Sequence, residues 1–73
     1  MKSEYRYLFF INLPSEGKTL RFSCRNKNSG IELGEVKWHG AWRQYCYFPS
    51  IPAVYSEGCL KDIADFISQL KNG

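Results

Sequence analysis

The chain has 73 residues, ten basic and seven acidic for a net charge of +3, and is 44% hydrophobic and 16% aromatic. That length allows one domain, spanning 1–73, and the apolar content excludes an intrinsically disordered chain. So short a chain buries only about 60% of the surface its unfolded form exposes, and its large rings, each burying roughly 150–250 Å², are the compensation for size.

Tyr5 to Asn12 reads as a first strand, rich in Tyr, Phe and Ile. Leu8 to Leu13 is the longest apolar stretch near the start, and Asn12 interrupts it. It is too short for a secretory core or a membrane span. Leu13 to Gly17 is a turn, with Pro14 and Gly17 in turn positions. Lys18 to Arg25 alternates, with Leu20, Phe22 and Cys24 on one side and Thr19, Arg21, Ser23 and Arg25 on the other. A period of two marks a half-buried strand. Asn26 to Gly30 is a hairpin loop.

Ile31 to Trp38 is a third strand, with Gly34, Val36 and Trp38 sharing a face against Glu35 and Lys37. His39 to Ala41 is a tight connection. Trp42 to Phe48 is a fourth strand, with Trp42, Gln44, Cys46 and Phe48 on one face and Arg43, Tyr45 and Tyr47 on the other. The parity of that connection decides which face meets the core, because one extra residue reverses every side chain of the strand that follows. Pro49 and Pro52 stop regular pairing, and Ala53 to Tyr55 offers a short fifth strand at the edge.

Ser56 is placed as a helix N-cap, its hydroxyl free to accept from a first-turn N–H. Glu57 follows, favourable at the positive end of the dipole. Cys59, Leu60, Ile63, Phe66, Ile67 and Leu70 form one apolar stripe. Lys61, Asp62, Asp65, Ser68, Gln69 and Lys71 take the wet side, and Asn72-Gly73 suits a stop. The expected fold class is α+β. It is an antiparallel meander of four strands, five if Ala53–Tyr55 joins, with one C-terminal amphipathic helix packed on one face. The expected counterparts of the helix are Leu20, Phe22, Val36, Trp38, Cys46 and Phe48.

The segments Leu33-Gly34-Glu35-Val36-Lys37-Trp38 and Trp42-Arg43-Gln44-Tyr45-Cys46-Tyr47-Phe48-Pro49, followed by Cys59-Leu60 opening an amphipathic helix, resemble a group of short uncharacterised proteins from bacteria and their phages. The resemblance runs from about Arg25 to Leu70. It implies a shared small α+β fold and no mechanism.

The positive charge belongs to the middle of the chain. Between Lys18 and Arg43 lie six basic residues against two acidic ones, whereas the C-terminal segment from Ser56 is slightly acidic. With the helix on one side of the sheet, the opposite face is expected to show Arg21, Arg25, Arg43, Tyr45 and Tyr47. Tyr and Arg are enriched at protein interfaces. Rings interleaved with cations also suit single-stranded nucleic acid, where bases stack and arginines meet phosphates. The same side chains would serve equally as ordinary cross-strand neighbours covered by arginine stems.

Cys24, Cys46 and Cys59 with His39 are the inventory of a Cys₃His zinc site. Their spacing does not fit one, because fourteen, six and twelve residues separate them in chain order and no C-x-x-C occurs. All three thiols fall on expected core faces, where cysteine behaves as a small hydrophobe. A Cys46–His39 nucleophile pair would need an exposed, activated thiol and a pocket.

The expectation is therefore a non-enzymatic interaction module without cofactor, membrane span or small-molecule substrate. Its partner is a second copy or another protein, with single-stranded nucleic acid as the alternative. An odd cysteine count with no export signal in view points to reduced thiols and a cytoplasmic setting.

Overall fold

A computed structural model of the chain describes residues 1–71. Four strands, β1 (Leu8–Leu13), β2 (Arg21–Asn26), β3 (Glu32–His39) and β4 (Gln44–Pro49), precede one helix, α1 (Glu57–Lys71). The strands form a single antiparallel sheet in the order β1-β2-β3-β4. The α+β meander with a C-terminal helix is thus the architecture, and its four strands run in sequence. Ala53–Tyr55 is not a strand among the described residues. Tyr55 instead turns its ring edge-on to Tyr47, with the two hydroxyls 2.7 Å apart.

Local chemistry explains most boundaries. Asn26 closes the β2–β3 hairpin by accepting from the N–H groups of Asn28 and Ser29, and Gly30 takes the positive φ of 76° that the loop requires. Ser56 caps α1 as expected, its Oγ accepting from the N–H of Cys59 at 3.2 Å. The helix stop expected at Asn72-Gly73 lies outside the described residues.

The helix crosses the sheet from β4 toward β1. Phe66 stacks on Phe10 at 4.0 Å between ring centroids and meets Phe22 edge-on at 4.9 Å. Leu8, Phe10, Phe22, Cys24, Val36, Ile63 and Phe66 form the core together with Tyr5. Tyr5 does not belong to β1. It folds back onto the helix, where its hydroxyl donates to Asp65 (2.7 Å) and accepts from Gln69 Nε2 (3.0 Å). Gln69 also exchanges two hydrogen bonds with the backbone of Lys2. Asp65 and Gln69, assigned from sequence to the wet side of α1, therefore hold the N-terminal segment. That segment pairs back on β1 through a Glu4–Phe9 bridge, so the β1 edge of the sheet is covered.

The largest correction concerns β4. His39 pairs with Gln44, so the β3–β4 turn holds four residues, Gly40 to Arg43, rather than three. Val36 then lies opposite Tyr47 and Trp38 opposite Tyr45. Tyr45 and Tyr47 pack against the core on the helix side. Cys46 and Phe48, expected beneath the helix, lie on the other face with Lys37 and Glu35, their directly opposed partners. Leu20 and Trp38 are on the helix side yet stay 42% and 41% exposed, and Leu60 also leaves the core.

Candidate sheet-face interface

The face without a helix carries Phe9, Ile11 and Leu13 from β1 and Arg21, Ser23 and Arg25 from β2. Beside these stand Glu35, Lys37 and His39 from β3, and Gln44, Cys46 and Phe48 from β4. Alternation along each strand places these side chains together. The face has three zones.

Its centre is a closed polar network. Arg21 binds Glu35 through Nε and through Nη2, which reaches both carboxylate oxygens, at 3.0–3.1 Å, one of these contacts being an ion pair, while its Nη1 donates to the Pro14 carbonyl (3.1 Å). Arg25 Nε donates to Ser23 Oγ (3.1 Å) and its Nη1 to the carbonyl of Gly30 (2.9 Å). Ser23 Oγ donates in turn to Glu32 (2.7 Å), and Ser50 reaches the same carboxylate. Ser23 is fully buried beneath this network although no helix covers it. A buried hydroxyl needs such partners, since leaving it unpaired would cost about 1–3 kcal/mol. The guanidinium groups of Arg21 and Arg25 are thus engaged by this protein's own acceptors.

The second zone is the apolar row on β1, in which Phe9 and Leu13 are half-buried and Ile11 is exposed. The third is a corner of rings at the β3–β4 end. The His39 ring stands edge-on to Trp42 at 5.0 Å and to Phe48 at 5.7 Å, while Lys37 Nζ lies over the Phe48 ring at 4.7 Å. Trp42 is 67% exposed. Arg43 follows it in the turn, exposed and with φ of 52°. A non-glycine residue there costs roughly 1–2 kcal/mol.

The five residues expected to share one surface are consequently divided. Arg21 and Arg25 are on the open face but bound within it. Arg43 is on the turn at its corner. Tyr45 and Tyr47 are on the opposite face, where Tyr45 Oη accepts from the N–H of Leu20 and Tyr47 packs beside Tyr55. The rings that do line the open face, His39, Trp42 and Phe48, were not assigned to it from sequence. The signal that separates the two sets is the odd or even number of turn residues between Trp38 and Tyr45.

Among the described residues no three of His, Cys, Asp and Glu group as metal ligands. Cys24 is fully buried, Cys46 faces the open side, and Cys59 packs against the core. Burial pushes the Cys24 thiol up to about 11 from its ordinary 9.0, which keeps it protonated and unreactive. Burial also raises Tyr5 and Tyr47, each aided by a hydroxyl hydrogen bond, to Asp65 and Tyr55 respectively.

These shifts carry a sign. Above pH 9 the unfolded thiol releases its proton while the folded one retains it, so the native state binds more protons and stability falls with rising pH. Thermal unfolding should accordingly shift to lower temperature between pH 9 and about 11. Cys24→Ala, although less stable at every pH, should show a shallower decline. A wild-type melting temperature that stays level across that interval contradicts the assignment.

No helix among the described residues is long and apolar enough to cross a membrane. No protein-family model matches the chain, and no solved structure does. The chain is similar to an uncharacterised 9.3 kDa protein of Acholeplasma phage L2. The two are 34% identical over 65 residues, which cover 88% of this chain and 83% of the phage protein.

Proposed function

This chain belongs to the same family as the 9.3 kDa phage protein, and we propose that it is a non-enzymatic interaction module that recognises another protein through its helix-free sheet face. The family, on this reading, extends to bacterial proteins built on the Leu33–Trp38 and Trp42–Pro49 strand pair, and the module works in the cytoplasm with its thiols reduced. The observation that carries the proposal is the ring corner, with Trp42 67% exposed in so small a chain. Trp and Arg dominate the energetics of protein interfaces, and Trp42 and Arg43 stand together at this corner. His39, Phe48 and Lys37 brace the corner from the sheet.

The polar centre favours a protein over a nucleic acid. Phosphate binding by Arg21 would have to displace the Glu35 carboxylate, and Arg25 would have to leave Ser23 and Gly30. The two tyrosines that would have stacked bases beside these arginines face the helix.

Substitution at the corner tests the reading. Trp42→Ala and Arg43→Gly should each abolish recovery of a specific protein partner from host extract. Stability should be preserved, since Arg43→Gly relieves a strained φ. Lys61→Glu, on the far side of α1, should leave recovery unchanged. The proposal fails if a short single-stranded oligonucleotide binds saturably, weakens steeply with salt and is lost in Arg43→Gly.

A further inference from the structure

The two edges of the sheet are treated differently. The β1 edge is closed by the N-terminal segment, where Phe10 N–H donates to Ser3, Glu4 bridges Phe9, and Lys27 ties the segment down through Glu4 and the Tyr5 carbonyl. Among the described residues nothing covers the β4 edge in this way. Ser50 N–H donates to the Leu33 carbonyl, and the hydrogen-bonded pairs alternate from there. Gln44, Cys46 and Phe48 therefore direct their backbone groups to β3, and Tyr45 and Tyr47 direct theirs outward. Among the described residues no hydrogen bond reaches the N–H or C=O of either tyrosine. From Gln44 to Phe48 the strand carries no charge, bulge or proline, the devices that ordinarily keep an edge from pairing.

We infer that the β4 edge pairs with the β4 edge of a second copy of this chain, antiparallel and about a two-fold axis at Cys46. The available edge is bounded at both ends. Pro49 has no N–H to offer, and Arg43 leaves the extended conformation. Between these limits stand two outward-facing residues, and one register satisfies both in both copies. Tyr45 pairs with Tyr47 of the second copy and Tyr47 with its Tyr45, giving four backbone hydrogen bonds. A longer foreign strand would overrun onto Pro49 or the turn, whereas a second copy ends where the first does.

The symmetric register sets Cys46 directly opposite its own copy as a non-hydrogen-bonded pair, with Cα atoms about 4.5 Å apart. Disulfides span Cα separations of roughly 4.4–6.8 Å, so the thiols report the register. The product is an eight-stranded sheet with both helices on one side, within the ordinary range of sheet sizes, and the two ring corners share the other side. This pairing uses the strand edge and does not depend on the face recognising a partner.

The experiment measures mass by sedimentation equilibrium in reductant and cross-linking under copper–phenanthroline with dioxygen as oxidant. The wild type should be a dimer in reductant. Oxidation should give a dimer on non-reducing gels whose bridge maps by mass spectrometry to Cys46–Cys46. Cys46→Ala should remain dimeric without cross-linking. Cys46→Lys, which opposes two like charges on the axis, should weaken association roughly tenfold or more while the helical circular dichroism and melting of the monomer persist. A wild type that is monomeric at several hundred micromolar overturns the inference. So does a dimer that Ile11→Lys dissociates and Cys46→Lys does not, because that dimer would use the sheet face.

Discussion

Phe66→Ala should cost about 3–5 kcal/mol and leave the protein largely unfolded at 37 °C. Phe66 has no exposed surface, and it meets aromatic rings from two strands. Its ring is parallel to Phe10, with an interplanar angle of 3°, and nearly perpendicular to Phe22, at 82°. Truncation removes the transfer energy of the ring and both aromatic contacts, each worth roughly 0.5–1.5 kcal/mol beyond area. It also leaves a cavity that the hydrogen-bonded sheet cannot close by moving. Few other contacts compensate in a domain of this size, so the loss is a large fraction of the total stability. Phe66→Leu, which retains most of the volume, should recover more than half of the loss. Urea denaturation of both variants measures this, and a cost below about 1 kcal/mol for the alanine variant would show that α1 does not depend on that contact.

The helix was legible in the sequence because its signal is local. Ser56 caps it, the apolar residues recur at three and four, and Ile63 and Phe66 emerge as its buried centre. The strands and their order were legible for the same reason, each being a short apolar run between turn residues. What could not be read was the side of β4. Alternation assigns Tyr45 and Tyr47 to one face and Cys46 and Phe48 to the other, and that division is correct. Which face meets the helix depends on the β3–β4 turn. Gly40-Ala41-Trp42-Arg43 closes with Arg43 in the left-handed region, a conformation usually filled by glycine or asparagine. An arginine there gives no sequence cue. The candidate interface inherited the error, since its tyrosines moved to the core while Trp42, which sequence could not place, moved to the open corner. Arg21 and Arg25 were on the expected face, but their engagement with Glu35, Ser23 and Gly30 depends on cross-strand register. The contacts of Tyr5 with Asp65 and Gln69 join residues sixty or more positions apart, which no periodicity encodes.

Gly34→Ala should destabilise the protein by roughly 1–3 kcal/mol or more, although alanine at an ordinary strand position is usually no worse than glycine. A Cβ at Gly34 would lie 2.6 Å from the Phe48 carbonyl oxygen and 2.6 Å from both Cζ and Oη of Tyr47. Glycine in a strand marks such a close approach, and here the approaching group is Tyr47, which crosses from β4 to meet Tyr55. Two obstacles are present, and they differ in kind. The tyrosine ring can swing aside, at the expense of its hydroxyl bond to Tyr55. The carbonyl belongs to the β3–β4 ladder and moves only if the strands separate. Introducing Gly34→Ala into a Tyr47→Leu background separates the two. If the ring were the whole obstacle, the penalty would vanish in that background. The expected result is a reduced but persistent penalty, because the Phe48 carbonyl remains. A Gly34→Ala variant as stable as wild type in urea would mean that β4 does not pass this close to β3. The placement of Tyr47 on the helix side, and with it the assignment of Phe48 to the open face, would then need to be redrawn.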